Sequence, residues 1–438
     1  MEDRKVIVVG AGIGGLTAGY RLRQRGFEVE VLEAADRPGG RMVGLERKGD
    51  RVDLGAHFIH SNGRGALELI DEMGLSGLKR KVKGKVQYAL RNGGSCVHDP
   101  GAPYTKLFGL KGNLKLYGFI LKHVVFGPPL PSCGIGKDIP EYDQAEILDL
   151  FRSPADQGLL DYCVTPLTMG SMLARPEWTN VYHFIRMLRS SLLSSLAGLT
   201  CGVSALAREV AKRLPVRYEA PVRKLVMERG RVVGVEMAGD GSVRKAGHVI
   251  VATTPAAAAP LMPDKLDEQR RFLESVLYTA IPAVVFFLDR PLSPDVLFYF
   301  NDPGRPCAYT LAINELAKVP EMLPSGKGAL TAWPAYPGSP GLLALADDAI
   351  LSTAREDLEV MIPGFSAWIE DAVVYRHPFV NALFTPGSYR AVLGFLDQAQ
   401  HLRGVSFVSC VLNGSGMEAA IQSGKAAVQR ICGWGGMA

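Results

Sequence analysis

The sequence contains no C-x-x-C pair. Its seven cysteines (Cys96, Cys133, Cys163, Cys201, Cys307, Cys410, Cys432) are odd in number and scattered, which argues against a disulfide framework and a zinc site and fits reduced thiols in the cytoplasm. No stretch approaches the roughly 20 uninterrupted apolar residues of a membrane span. The first strand begins near Lys5, so no signal peptide is expected either. The net charge is only +5 over 438 residues, and there is no long basic run with interleaved aromatics, so nucleic acid is not an expected partner. A mild attraction to anionic membranes stays open. The length favours two domains over one core, and 47% hydrophobic against 21% charged residues fits a globular chain with a somewhat apolar surface.

What is present starts at Gly10. The apolar run Lys5-Val-Ile-Val-Val9 leads into Gly10, Gly12 and Gly15, a G-x-G-x-x-G set. Glycines at this spacing allow a sharp strand-to-helix turn, a backbone close to a pyrophosphate, and a tightly packed helix whose free N–H groups and positive dipole end face the phosphates. Gly19, one turn further on, lets that helix lie close to the sheet. A second strand, Glu28 to Leu32, ends in Glu33, about 20 residues along, where a carboxylate accepts hydrogen bonds from the adenosine ribose. Pro38-Gly39-Gly40-Arg41 follows, and its guanidinium can reach a pyrophosphate from the far side. That second clamp favours FAD over a nicotinamide cofactor.

The segment VIVVGAGIGGLTAGYRLRQRGFEVEVLEAADRPGGRM closely resembles the FAD signature of the flavin amine oxidase superfamily, which includes monoamine and polyamine oxidases, protoporphyrinogen oxidases and phytoene-desaturase-like enzymes. Four more segments are similar to that family: Arg51 to His60, Gly202 to Leu214, His248 to Pro255, and Gly416 to Gly424. The resemblance implies that Gly55, Ala56 and His57 run beside the flavin ring, that the Val222 backbone holds adenine, and that the helix starting at Gly416 and Met417 points at the flavin pyrimidine. It implies an α/β fold: a GR2-type, Rossmann-like FAD-binding domain (residues 1–85, 200–270 and 395–438) with a discontinuous α+β substrate-binding domain (residues 86–199 and 271–394). Val222 to Glu228 and Val232 to Met237 read as a hairpin around Arg229-Gly230, and Ile281 to Leu288 as a strand of the second domain. The proline- and glycine-dense stretch Pro320 to Gly341 reads as loop-rich.

No second G-x-G-x-x-G is present, so no NADPH domain is expected. Electrons then enter as a hydride from an organic substrate and leave to oxygen or a quinone, the flavin carrying the chemistry. Amine oxidases of this family carry a lysine near the flavin N5. The matching strand, Tyr278 to Pro291, has none, and Pro282 or a neighbour occupies that position. This favours a desaturase or oxidase acting on an apolar or cyclic molecule such as a terpenoid, carotenoid or porphyrinogen. Against it, Gly55-Ala-His-Phe-Ile-His60 is close to a polyamine oxidase pattern, so an amine or polyamine oxidase is the alternative. His57 and His60 are the candidate catalytic residues, as neutral imidazoles that accept a substrate proton or hydrogen-bond the flavin. The plainer reading of each is a packed or solvent-facing histidine.

Two positions depart from the family pattern. Ser409-Cys410 replaces glycine and an acidic residue at the ribityl chain, and Ala35 replaces an arginine. Cys410, placed at the cofactor, could form a thioether, but a buried structural thiol is the stronger reading, so FAD is expected to be non-covalent. A reading from another class is a flavin-free scaffold like the Rab GDP-dissociation inhibitors and escort proteins.

Residues Lys111 to Phe126 have two readings. Lys111, Lys115 and Lys122 share one helical face, while Leu114, Tyr117, Ile120, Leu121 and Val124 share the other. The first reading is a core-facing helix with a solvated lysine stripe. The second is a peripheral membrane-surface helix, which the resemblance to desaturases and protoporphyrinogen oxidases supports.

Overall fold

A strand covered on both faces has no need of polar residues, and Lys5–Val9 is such a strand. Val6 and Val8 pack on one side against Leu16, Leu22, Ile421 and Val428, and Ile7 and Val9 on the other against Val232, Val235 and Phe395. The apolar run is therefore continuous rather than alternating. In this computed structural model, which describes residues 4–127, 130, 134–136 and 141–434, the strand is central to a five-stranded parallel sheet. The sheet order is Val216–Arg217, Glu28–Leu32, Lys5–Val9, His248–Val251, Val405–Phe407. Its strands come from three separate parts of the chain. The expected hairpin forms as Val222–Glu228 with Arg231–Met237 and is joined by Val243–Lys245. Cys133 lies outside the described residues; the other six cysteines are free thiols.

A second, mixed sheet of seven strands runs in the order Ile369–His377, Ile281–Leu288, Gly328–Pro334, Tyr309–Asn314, Val296–Phe300, Lys85–Ala89, Ser95–His98. Every residue of Ile281–Leu288 is buried, in keeping with its unbroken apolar sequence. Gly328–Pro334 is buried just as fully. The loop-rich reading of Pro320 to Gly341 is corrected here: its proline and glycine mark the ends of a central strand, not its absence. A small antiparallel sheet, Ile59–His60, Leu196–Leu199 and Lys79–Val82, joins the segments that carry the candidate histidines.

Five helices bear on the site: α1 (Ile13–Gln24), α2 (Arg64–Glu72), α3 (Thr105–Ile120), α4 (Val181–Leu193) and α5 (Gly416–Trp434). In α3 the core-facing reading is corrected. Leu114, Tyr117 and Leu121 are 63%, 43% and 49% exposed, whereas Leu116 and Val124 are buried. The helix is turned this way because Asn113 is buried, accepting from the Tyr104 N–H and donating to the Gly109 carbonyl, and because Lys115 pairs with Asp156 at 2.5 Å. Backbone irregularity at Phe108 and Gly109 interrupts the helix, and a π turn, Leu121–Val125, continues it.

Candidate functional site

The glycines of the first turn divide by what a side chain would meet. A Cβ on Gly10, whose φ is +105°, would lie 2.7 Å from the Ala252 carbonyl oxygen, and one on Gly15 would lie 2.3 Å from that of Gly10. The fold itself demands glycine at both. At Gly12 the same atom would meet only the Ala252 oxygen, at 4.0 Å, and at Gly40 only the Gly12 Cα, at 3.6 Å. A side chain at Gly12 would thus meet almost no protein, whereas one at Gly40, whose φ is +55°, would be strained and would touch Gly12 in ordinary contact. The two turns are tied together by the Gly39 N–H donating to the Ala11 carbonyl at 2.8 Å and by a bridge between Gly12 and Gly39. α1 starts at this cradle with no side-chain cap and no acid in its first turn, leaving its N–H groups and positive dipole end for an anion.

Glu33 ends its strand with the carboxylate already oriented. It accepts from the Ala11 N–H at 2.6 Å and the Ala35 N–H at 2.9 Å, with further lone pairs left for ribose hydroxyls. The Glu33 carbonyl accepts from Ala220 N–H at 2.9 Å, which brings Val222 to the same end of the cradle.

Arg41 stands at the other end. Its guanidinium donates to the Val380 carbonyl at 2.7 Å and the Cys410 Sγ at 3.3 Å and lies over the Tyr278 ring. Burial disfavours its charge, but the Cys410 thiol and Tyr278 phenol beside it prevail and raise its pKa. No carboxylate among the described residues pairs with it. A cation placed in this way suits a phosphate. Gly55 and Ala56 lie directly against this turn: a Gly55 Cβ would lie 1.8 Å from the Arg41 carbonyl oxygen, and Ala56 N–H donates to that oxygen at 3.2 Å. Gly416 and Met417 begin α5, where the Glu418 carboxylate accepts from the Gly65 and Ala66 N–H groups at 2.9 and 2.8 Å and so caps α2. The open cradle, the oriented carboxylate and the acid-free arginine fit an FAD, with Gly12, Gly40 and Arg41 at its pyrophosphate and Glu33 at its ribose.

His57 is buried within a charged cluster whose central member, Lys318, sequence reasoning missed. Lys318, Asp53 and Glu315 are each 0–1% exposed. The Lys318 ammonium lies 3.1 Å from Asp53 Oδ2, in contact with Glu315, and 3.4 Å from His57 Nδ1. Burial raises both carboxyls despite the ammonium. For Lys318 burial acts downward, and the two carboxylates outweigh it. Burial, with help from Lys318 and His377, holds His57 well below its usual value. The same His57 Nδ1 lies 3.5 Å from Glu315 Oε1, so it faces both the ammonium and a carboxylate. The signal that could have found Lys318 is Glu315-Leu-Ala-Lys318, two opposite charges at helical spacing directly after a buried strand.

His60 differs in setting. It is exposed to solvent, yet neighbouring protein lowers its pKa by burial. Its Nδ1 is 3.0 Å from Ser194 Oγ. Its carbonyl accepts from Gly63 N–H at 2.9 Å, beside the α2 end that Glu418 caps, which places His60 near the start of α5. Leu196 pairs with His60, and Phe58 and Leu196 pack on one apolar cluster. The structure thus brings Gly10, Gly12, Gly15, Gly39, Gly40 and Arg41 together, Glu33 with Val222, and Cys410 with Arg41; His57 lies in the core and His60 at the surface.

The model of the family described as flavin containing amine oxidoreductase matches residues 13–432. A zeta-carotene-forming phytoene desaturase of Myxococcus xanthus is 48% identical over 402 residues, covering 75% of this chain and 71% of its own. A Dictyostelium discoideum protein named a probable flavin-containing monoamine oxidase A is 24% identical over 297 residues, 63% of this chain. The match spans 64% of that protein's length. A protein of Exiguobacterium sp. 255-15, solved under the name protoporphyrinogen oxidase, superposes with a TM-score of 0.78 over 98% of both chains at 18% identity, a likeness of fold. The chain belongs to the flavin-containing amine oxidoreductase family, and its cofactor is FAD.

Proposed function

We propose that the protein is an FAD-dependent oxidoreductase that removes a hydride and a proton from adjacent atoms of an apolar, conjugated or cyclic small molecule, oxygen or a quinone being the final electron acceptor. FAD, when bound, supplies the hydride acceptor and passes the electron pair on. In this reading Gly12, Gly40, Arg41 and the first N–H groups of α1 hold its pyrophosphate, Glu33 its ribose and Val222 its adenine. Gly55, Ala56, Gly416 and Met417 flank its ring. His60 Nε2 takes the substrate proton, and the electrons of the broken C–H bond become the new double bond. The FAD-binding part comprises residues 1–85, 200–270 and 395–438, and the remainder binds substrate.

The observation that carries the apolar assignment is the company of His60. Leu196 pairs with His60 and packs with Phe58 on an apolar cluster, while the carboxylates that could receive an ammonium are engaged, Asp53 and Glu315 by Lys318, and Glu418 by the Gly65 and Ala66 N–H groups and Gln422. Anaerobic mixing of the holoprotein with a detergent-dispersed polyene, a porphyrinogen and putrescine tests this. Bleaching of the flavin by an apolar donor supports it; bleaching by putrescine alone overturns it in favour of an amine oxidase.

Peripheral membrane contact belongs to the same proposal. Leu110, Leu114, Tyr117, Leu121, Val125 and the 81%-exposed Phe126 form an open apolar stripe along α3 and its π turn, with exposed Lys106, Lys111 and Lys122 at its sides. Arg189 donates to the Val124 carbonyl at 2.8 Å, so exposed Leu192 and Leu193 at the end of α4 adjoin it. An apolar stripe edged by lysines suits an anionic bilayer surface. Among the described residues no helix is long and apolar enough to cross a membrane.

A further inference from the structure

We propose that Ser194 is a positioning residue that fixes His60 as its Nδ1–H tautomer and so leaves the Nε2 lone pair free to accept a proton. The inference rests on the reading of His60 as the proton acceptor and adds the residue that makes it one.

The argument follows the hydrogens. Ser194 Oγ lies 2.6 Å from the Ser190 carbonyl oxygen and 3.0 Å from His60 Nδ1. A carbonyl has no hydrogen to give, so the short contact requires the Ser194 hydroxyl to donate to it. The one hydroxyl proton is then used. Toward His60 the serine can only accept, and the proton in that contact belongs to Nδ1. An imidazole that is neutral and protonated at Nδ1 has its lone pair at Nε2.

The geometry is built in rather than incidental. Ser194 is the residue that ends α4, in extended conformation. The Ser190 carbonyl also accepts the Ser194 N–H at 3.1 Å, so the backbone and side chain of Ser194 converge on one acceptor. The chain on either side is joined to His60. Leu196 pairs with His60 in the small sheet, Ser61 N–H donates to the Ser195 carbonyl at 2.9 Å, and Ser195 N–H donates to Ser61 Oγ at 2.9 Å. Both partners of the relay therefore sit on paired backbone.

The test is 15N NMR of holoprotein labelled at histidine, with His60 assigned by the signal missing in His60→Gln. The proposal expects a protonated Nδ1 and an unprotonated Nε2 at pH 7.5 in the wild type. It expects loss of that pattern in Ser194→Ala and its return in Ser194→Thr, which keeps the hydroxyl. A wild-type His60 protonated at Nε2, or a Ser194→Ala spectrum unchanged at His60, overturns it. Flavin reduction by substrate is read alongside: a fall of about tenfold in rate in Ser194→Ala, the equivalent of one neutral hydrogen bond, with KM unchanged. Should the tautomer shift while the rate does not, the relay stands and the role of His60 as proton acceptor fails.

Discussion

The Arg41 guanidinium and the Cys410 thiol meet at 3.3 Å, a pairing in which no carboxylate among the described residues neutralises the cation. An arginine in this position contributes most when an anion binds. Charge-assisted hydrogen bonds to it are worth about 1.5–3 kcal/mol each, so Arg41→Met is expected to weaken FAD binding by about 10- to 150-fold in a titration of apoprotein followed by flavin fluorescence. Because the thiol is already engaged by Arg41, denatured wild-type protein should release all of its flavin through a filter. Retained colour would indicate a covalent bond.

Gly12 and Gly15 make opposite predictions. An alanine at residue 12 projects into the open cradle, so apoprotein melting should stay within a degree or so of wild type while FAD affinity collapses. At residue 15 the new Cβ collides with the Gly10 carbonyl at 2.3 Å, and overpacking of this kind costs about 1–3 kcal/mol. The Gly15→Ala apoprotein should melt several degrees lower. Equal behaviour of the two variants would mean that the space at Gly12 is not a ligand site.

Lys318 is expected to be the costliest single polar residue to remove. Lys318→Met leaves two buried carboxyls without their cation, and breaking such a pair costs about 3–5 kcal/mol. Asp53 and Glu315 are raised in the folded protein, so folding favours their protonated forms. The stability they contribute is present below their unfolded values and is lost as pH rises through the folded ones. Without the ammonium both should rise further. Lys318→Met should therefore melt higher at pH 5 than at pH 8, by a wider margin than wild type, and Glu315→Gln in the same chain should recover part of the loss. Thermal melts across that pH range decide it.

His60 should govern the acid limb of activity. Burial lowers its pKa below the usual value, so the acid limb of stopped-flow flavin reduction should lie on the acid side of an ordinary histidine's. General base catalysis is worth about 10²–10⁴-fold. His60→Gln should slow reduction by at least the lower figure and abolish the acid limb while FAD content is unchanged. An unaltered limb in that variant would remove His60 from the mechanism.

The apolar stripe on α3 should direct partition onto membranes. Wild-type protein is expected to float with anionic liposomes at low salt, and Leu114→Glu with Phe126→Glu to abolish flotation while leaving the melting temperature unchanged. A wild type that stays in the aqueous fraction would reject membrane contact through this face.

The cofactor end was legible in the sequence because its parts are local. Gly10 to Glu33 and Gly39 to Arg41 carry their geometry in short spacings that a phosphate-binding turn imposes whatever surrounds it. The reacting end was less so. Lys318 and Asp53 are 265 positions apart, and His60 and Ser194 are 134 apart; only the fold brings each pair into contact. The segment Tyr278 to Pro291 holds no lysine, and the lysine that reaches His57 comes from a short helix after another strand. In α3 the apolar stripe was visible, but periodicity does not say which face is covered. Buried Asn113 and the Lys115 pair with Asp156 decide that, and neither partner of Asn113 nor Asp156 was evident from the wheel.

The most direct test of the central claim is anaerobic mixing of purified holoprotein with an apolar conjugated donor or with putrescine, followed at the flavin absorption band. Loss of the band with the apolar donor, its persistence with putrescine, and a slower loss in His60→Gln are the predicted result. Bleaching by putrescine while apolar donors leave the flavin oxidised would contradict the account and return the protein to the amine oxidases of its family.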